Sequence, residues 1–364
     1  MSQLAKVFHL NRQGFKLERA FSGLAIMLLP LIVLSVLHQE KYFLSMVFGV
    51  LFVGLSDPGG EYRYRVPRMA LVAVAGALLT ALGFGIGGGA WGLVVLAVLV
   101  ITLLAGLAVK YGAHRFVAAL LLNIWFLIAL ALPGVYHLDH IQTNAWAQAL
   151  AWLIGSALTL AYTCLMWLAR GRTAQPQPAA DLLPGDTKPV PLTKPVILFA
   201  VIRAVAVSIA VAIAFGLHVP YADWMPVAAL VAMRASLEQS TQFAVGRLAG
   251  AIIGAAVAAL FLLTIDNKYA LEVIMVILGG LAASIRAVNY ALYWAAVAGA
   301  VLIALDLPHP TSLADEGRRV LFTFIGVGIA VVVIFLADRL KKRTAAKAAP
   351  RAAPQAPVNE GQPG

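Results

Sequence analysis

Cysteine is nearly missing from this chain of 364 residues: the single Cys164 lies inside an apolar run, which excludes an intrachain disulfide and a cysteine-based metal cluster. Charge is also scarce. Only 12% of residues are charged, while 62% are hydrophobic, against about 25% and 45–50% in soluble domains. Such a chain cannot cover itself with polar surface in water. That excludes a soluble enzyme, a disordered protein and a nucleic-acid-binding domain. Acid is scarcer than base, with 16 Asp and Glu against 27 Lys and Arg and a net charge of +11. All the acidic residues fall in loops, tails or helix ends, Glu272 being the most marginal, so no carboxylate proton relay is expected in mid-membrane. No Lys-Ser/Thr follows the glycines at 87–89, so there is no phosphate cradle there, and no Walker motif occurs elsewhere. ATP drive within the chain, a cofactor and an enzymatic activity are not expected. His137, Asp139 and His140 share a short loop that reads as solvated rather than as a metal site.

What the chain does have is long apolar runs. Twelve approach or exceed the length that crosses a hydrocarbon core of about 30 Å: 21–37, 42–55, 69–87, 91–109, 116–133, 146–169, 196–217, 222–233, 248–265, 270–285, 288–305 and 319–337. Backbone in lipid must satisfy itself, so each is expected to be a helix. Several exceed the roughly 10-residue alternating segments of an outer-membrane barrel. The polar, basic residues 1–20 do not read as a cleavable signal peptide. With the N-terminus inside, 23 of the 27 Lys and Arg fall on one side, as the positive-inside rule requires of a multi-pass protein with both termini cytoplasmic. A bacterial-type inner membrane fits this reading.

Residues 171–195 are rich in Pro and polar residues and read as a cytoplasmic linker. The flanking segments, 21–170 and 196–338, resemble each other. His38 and Arg68 correspond to His218 and Arg247, Gly76 to Gly254, the run ending at Pro133 to that ending at Pro308, and Leu153-Ile154-Gly155 to Phe324-Ile325-Gly326. The order is constant and the offset falls steadily, as in a duplicated unit. The fold class expected is an all-α polytopic membrane protein of about twelve transmembrane helices, arranged as two parallel six-helix repeats whose pseudo-twofold axis lies along the membrane normal. Residues 1–20 form a cytoplasmic segment, and 339–364, basic and rich in Ala and Pro, a disordered cytoplasmic tail that can touch anionic headgroups.

Short helices at matching places in two halves point to a transporter site, and 42–55 and 222–233 are such a pair. Phe43 and Phe48 would face it from one half, Trp224 and Arg234 from the other. Aromatic faces and a guanidinium fork suit a flat anion; interface anchoring accounts for the same residues otherwise. Arg203 lies eight residues beyond Pro195, roughly 12 Å along a helix. It is either a functional intramembrane cation or a snorkelling one. Arg68 and Arg247 sit where inner mouths would be, and Gly250 and Gly254 have the spacing that lets helices approach closely. Arg203 and the intramembrane amides and phenols, among them Asn289 and Tyr290, favour an anionic solute over a cation.

The run Arg247-Leu-Ala-Gly250-x-x-x-Gly254 resembles the R-x-x-G-T-x-x-G element of the fusaric acid resistance family, with Ala251 in place of its Thr. Asn289-Tyr290 is similar to that family's N-Y element, and 314–333, with Arg319, to its closing helix. The resemblance covers most of 196–338 and, more weakly, 21–170. The large soluble domains of many members are missing here. It implies importance for Arg247, Gly250, Gly254, Asn289, Tyr290 and Arg319 in packing or at the mouths. It also implies kinship with bacterial aromatic carboxylic acid exporters and with aluminium-activated malate channels. The function expected is efflux of small organic anions, aromatic carboxylic acids among them. A passive organic-anion channel and a non-transporting scaffold for a periplasmic adaptor protein are the alternatives.

Overall fold

The computed structural model describes residues 28–59, 61–138, 141–169, 191–216, 222–233, 237–265, 267–285, 288–306 and 313–348. They form twelve helices and, among the described residues, no strand. The helices are α1, described over 28–36, then α2 (Phe43–Leu55), α3 (Tyr62–Ile86), α4 (Trp91–Leu107), α5 (Ala113–Leu138) and α6 (Ala145–Ala169). The second set is α7 (Lys194–Gly216), α8 (Trp224–Ala232), α9 (Leu237–Thr264), α10 (Lys268–Ile285), α11 (Tyr290–Asp306) and α12 (Leu313–Ala348).

Helices dominate because each pairs its own backbone polar groups, as lipid requires. Their outward faces are apolar: Leu71, Leu78, Leu96, Leu104, Leu150, Leu260 and Leu336 are exposed. Such a surface would associate in water but suits a hydrocarbon solvent. Five stretches are long and apolar enough to cross a membrane: Tyr62–Ile86, Trp91–Tyr111, Arg115–His137, Ala145–Ala169 and Val196–Gly216. The chain is a multi-pass helical membrane protein.

Each expected apolar run contains a helix among the described residues, but the runs and the helices are not the same length. The α3 helix begins at Tyr62 rather than 69, because a charged first turn is good helix even though it is too polar for hydrocarbon. Pro67 lies in the second turn of α3 and Pro133 in the last two turns of α5, and each removes one intrahelical N–H donor. The α12 helix continues to Ala348, into the tail expected to be disordered. The reason is local: Arg, Leu, Lys and Ala at 339–348 are strong helix formers. The α2 and α8 helices are the short ones. With 13 and 9 residues they reach only about 20 and 14 Å, short of a 30 Å core. They are interior instead: ten residues of α2 and eight of α8 are buried.

The pairing of helices repeats with an offset of six. In the first half α2 lies along α6, and in the second α8 lies along α12. The α3 helix packs on α5 and α6, and α9 on α11 and α12; α4 packs on α5, and α10 on α11. The closest approaches repeat too. A Cβ on Gly155 of α6 would collide with the carbonyl oxygen of Met46 in α2, and one on Gly326 of α12 with that of Met225 in α8. Between the halves, α4 packs on α7, and a Cβ on Gly106 would stand 3.0 Å from that of Ala200.

Candidate functional site

Helix succession and side-chain contacts sort the polar groups to two ends of the bundle. The start of α3, the end of α4, the start of α5, the end of α6 and the start of α7 share one end. This end holds Arg63, Arg65, Arg68, Lys110, Arg115 and Lys194. It is called the basic end below.

At the opposite end, Lys41 Nζ donates to the Gln142 carbonyl (2.9 Å). Ser45 Oγ donates to Gln148 Oε1 (2.5 Å). Gln148 Nε2 donates to the Lys41 carbonyl (3.0 Å) and to Thr143 Oγ1 (2.8 Å), and Tyr136 Oη donates to the same carbonyl (2.9 Å). Each group has its partner, as buried polar groups require. This network ties α2, α5 and α6 together.

The first half is filled by aromatic rings. Phe48 stands 4.9 Å from Trp125 and 5.1 Å from Phe52, and Trp125 stacks on Trp152 at 5.1 Å. Both indoles are fully buried and both N–H groups are used: Trp125 Nε1 donates to Thr80 Oγ1 (2.7 Å), and Trp152 Nε1 to the Ala73 carbonyl (3.0 Å). Gly76 makes room for the Trp152 ring. Phe43 is buried in a cluster with Leu31, Leu34, Met46 and Val47, against which Trp224 packs. Phe43, Phe48 and Trp224 are thus packing residues here, and none of them borders the cavity described next.

That cavity lies at the seam of the halves, near the basic end. It holds about 40 Å³ and is lined by Gly106 and Val109 of the α4 end, Phe116 of α5, and Val196, Phe199, Ala200 and Arg203 of α7. Arg203 is 2% exposed, with its guanidinium carbon 5.7 Å from the Phe116 ring centroid. A buried guanidinium over an aromatic face is stabilised by the ring quadrupole. The volume admits water but not a drug-sized ligand, which needs about 300 Å³ or more.

The second half packs through small residues. A Cβ on Gly250 would stand 2.8 Å from the Ala291 carbonyl oxygen, and one on Gly254 2.7 Å from that of Ala295. These glycines therefore let α9 lie directly on α11, the packing alternative expected of their spacing. Asn289 caps α11: its Oδ1 accepts the N–H of Leu292 at 2.9 Å, three residues on, as an N-cap should. Arg68 lies 3.2 Å from the Tyr64 ring centroid and is partly exposed. Arg234, His218 and most of the linker lie outside the described residues. The side chains of Arg247, Tyr290 and Arg319 do so as well, although their backbones belong to α9, α11 and α12.

One arrangement was not legible in the sequence. At the basic end, Arg65 is 5% exposed and forks onto Asp57, with Nε to Oδ1 at 2.9 Å and Nη2 to Oδ2 at 2.5 Å. Asp57 Oδ1 also accepts the Gly59 N–H (2.9 Å). The Tyr62 ring centroid lies 4.7 Å from the Arg65 guanidinium carbon and 5.1 Å from the Trp167 ring. In the sequence Arg65 is one of three closely spaced arginines that record orientation. Its partner is eight residues away, across a Pro-Gly-Gly turn, and no motif joins the two.

Among the described residues, no cluster of His, Cys, Asp and Glu could hold a metal ion. Comparison with curated proteins and with solved structures finds no match. Residues 209–333 do match a protein family described as fusaric acid resistance protein-like. The matched segment runs from mid α7 into α12 and contains the glycine-packed α9–α11 pair and the Asn289 cap. The short motifs and the family match fall on the same helices, and residues 209–333 of the chain are similar to the fusaric acid resistance protein-like family.

Proposed function

We propose that the protein is an inner-membrane exporter of small organic anions, aromatic carboxylic acids among them, and that the path runs along the seam between two parallel six-helix halves. The coarser statement, a multi-pass membrane protein of a family consistent with transport, rests on the match over 209–333. The observation that carries the finer reading is Arg203. It is a guanidinium 2% exposed, on an aromatic face, at the contact between α4 of one half and α7 of the other. Intramembrane arginines are costly and mark solute paths, and a positive group beside a ring suits an aromatic anion. A cavity of about 40 Å³ makes this a closed form; passage of a ring requires α4 and α7 to part. On this reading both termini lie in the cytoplasm, as the distribution of Lys and Arg supports, and the basic end faces the anion supply and raises its local concentration.

Proteoliposomes loaded with radiolabelled benzoate, salicylate or malate test the reading. Gradient-driven efflux of the aromatic acids above protein-free vesicles, reduced at least tenfold in Arg203→Gln, is the expected result; one pKa-unit-sized loss of interaction, about 1.4 kcal/mol, gives that factor. Efflux equal to empty vesicles across the panel would overturn it. Unitary currents in planar bilayers would assign a passive channel instead of a carrier.

A further inference from the structure

The transport reading leaves the Asp57–Arg65–Tyr62–Trp167 cluster without a task. We propose that this cluster is the loading site for the transported anion: Arg65 takes its carboxylate, Tyr62 and Trp167 take its ring, and Asp57 is an internal competitor for the same guanidinium. The inference rests on the transport reading and adds a site to it.

A guanidinium offers two edges for a carboxylate fork. Asp57 occupies the side edge, formed by Nε and Nη2. The other edge is formed by Nη1 and Nη2. Nη1 is buried and makes no hydrogen bond of its own among the described residues, although the Tyr62 side chain also interacts with the guanidinium. A buried donor left unmade is costly, and such exceptions call for an explanation. An end-on carboxylate supplies the missing acceptor without displacing Asp57 fully, because Nη2 has a hydrogen for each edge. The surroundings suit a ring attached to that carboxylate. Tyr62 and Trp167 lie 5.1 Å apart and are tilted by 37°, both are partly exposed, and Tyr62 borders the guanidinium. The Asp57 side chain is 18% accessible and that of Arg65 6%, so a ligand reaches the guanidinium only by displacing Asp57 or Tyr62 at the basic end. A purely structural ion pair, stapling the end of α2 to the start of α3, accounts for the side edge but not for the open donor.

The two accounts differ in sign. A staple predicts that Asp57→Asn and Arg65→Lys both weaken the protein and that neither changes ligand binding selectively. A loading site predicts opposite effects. Arg65→Lys keeps the charge and loses the fork, so benzoate should bind about tenfold more weakly. Asp57→Asn removes the competitor and leaves a buried cation that benzoate can neutralise. Benzoate should then bind about tenfold more tightly and raise the melting temperature more than in the parent protein.

The experiment is benzoate titration of the full-length protein in lipid nanodiscs, followed by calorimetry and thermal shift, with cyclohexanecarboxylate and benzylamine as companion probes. Trp167→Leu, a variant at a partly exposed ring, should weaken benzoate more than cyclohexanecarboxylate even if a variant at Arg65 does not fold. Benzylamine should not bind. Benzoate affinity within twofold of the parent in Asp57→Asn and Trp167→Leu, while benzoate efflux persists, overturns the loading site and leaves the transport reading standing. A parent protein that neither binds nor moves benzoate overturns the transport reading itself.

Discussion

At the scale of single residues, the second half is governed by what is small and what caps. Asn289 carries the first turn of α11 through its bond to the Leu292 N–H. Asn289→Ala should lower stability by about 1 kcal/mol, and Asn289→Asp or Asn289→Ser should largely restore it. Thermal unfolding in detergent measures the loss, and a transport assay on the same preparations shows whether activity follows stability. Unchanged melting with lost transport would remove the capping role. In the first half, Thr80 both donates to the Gly76 carbonyl (2.7 Å) and accepts from Trp125. Its replacement by Val strands a buried indole N–H, at a cost of about 1–3 kcal/mol.

At the scale of elements, glycine decides how near two helices come. Gly155 and Gly326 sit against the carbonyls of Met46 and Met225, so Gly155→Ala and Gly326→Ala must push α6 off α2 and α12 off α8. Overpacking of this kind costs about 1–3 kcal/mol. Gly85, also helical, has nothing within 4 Å of its would-be Cβ, so Gly85→Ala should be neutral or stabilising by up to about 1 kcal/mol. Melting temperatures of the three variants check the contrast. Much of this scale was legible in the sequence, because hydropathy reports which residues meet lipid. The run at 146–169 became Ala145–Ala169 and that at 222–233 became Trp224–Ala232. Polar extensions were not legible: Tyr62–Pro67 and 339–348 are helical for reasons of propensity rather than apolarity. Side-chain direction was not legible either. Phe43 and Phe48 have the composition of a binding face, but whether a ring fills a core or a cavity depends on which helix lies opposite. Here Trp125 of α5 lies against Phe48, and Phe43 shares a buried cluster with Leu31 and Leu34 of α1. Arg203 was legible because a cation deep in an apolar run needs no partner in sequence to be conspicuous; Arg65, on a charged turn, had no such contrast.

At the scale of the whole molecule, the two halves meet where α4 lies on α7, and transport by separation of the halves requires that contact to break. Gly106→Cys with Ala200→Cys, in a Cys164→Ser background, places two thiols at a position where the Cβ atoms stand 3.0 Å apart, slightly inside the spacing a disulfide bridges. Oxidation should abolish efflux and reduction should restore it, measured in the same proteoliposomes. Full efflux from the oxidised protein would rule out parting at this seam.

The repeated helix pairing also bears on how the chain is made. The main pairings of α2, α3 and α6 are with one another and with α5, all before residue 170, so most of the first half can pack while the remainder is still being synthesised; the cluster around Phe43 and Met46 is completed only by Ala255 and Met275 of the second half. The face of α4 around Gly106 is different, because its partner α7 starts only at Lys194. Until then that face meets lipid, and a side chain larger than glycine there would be tolerated at birth and penalised at docking.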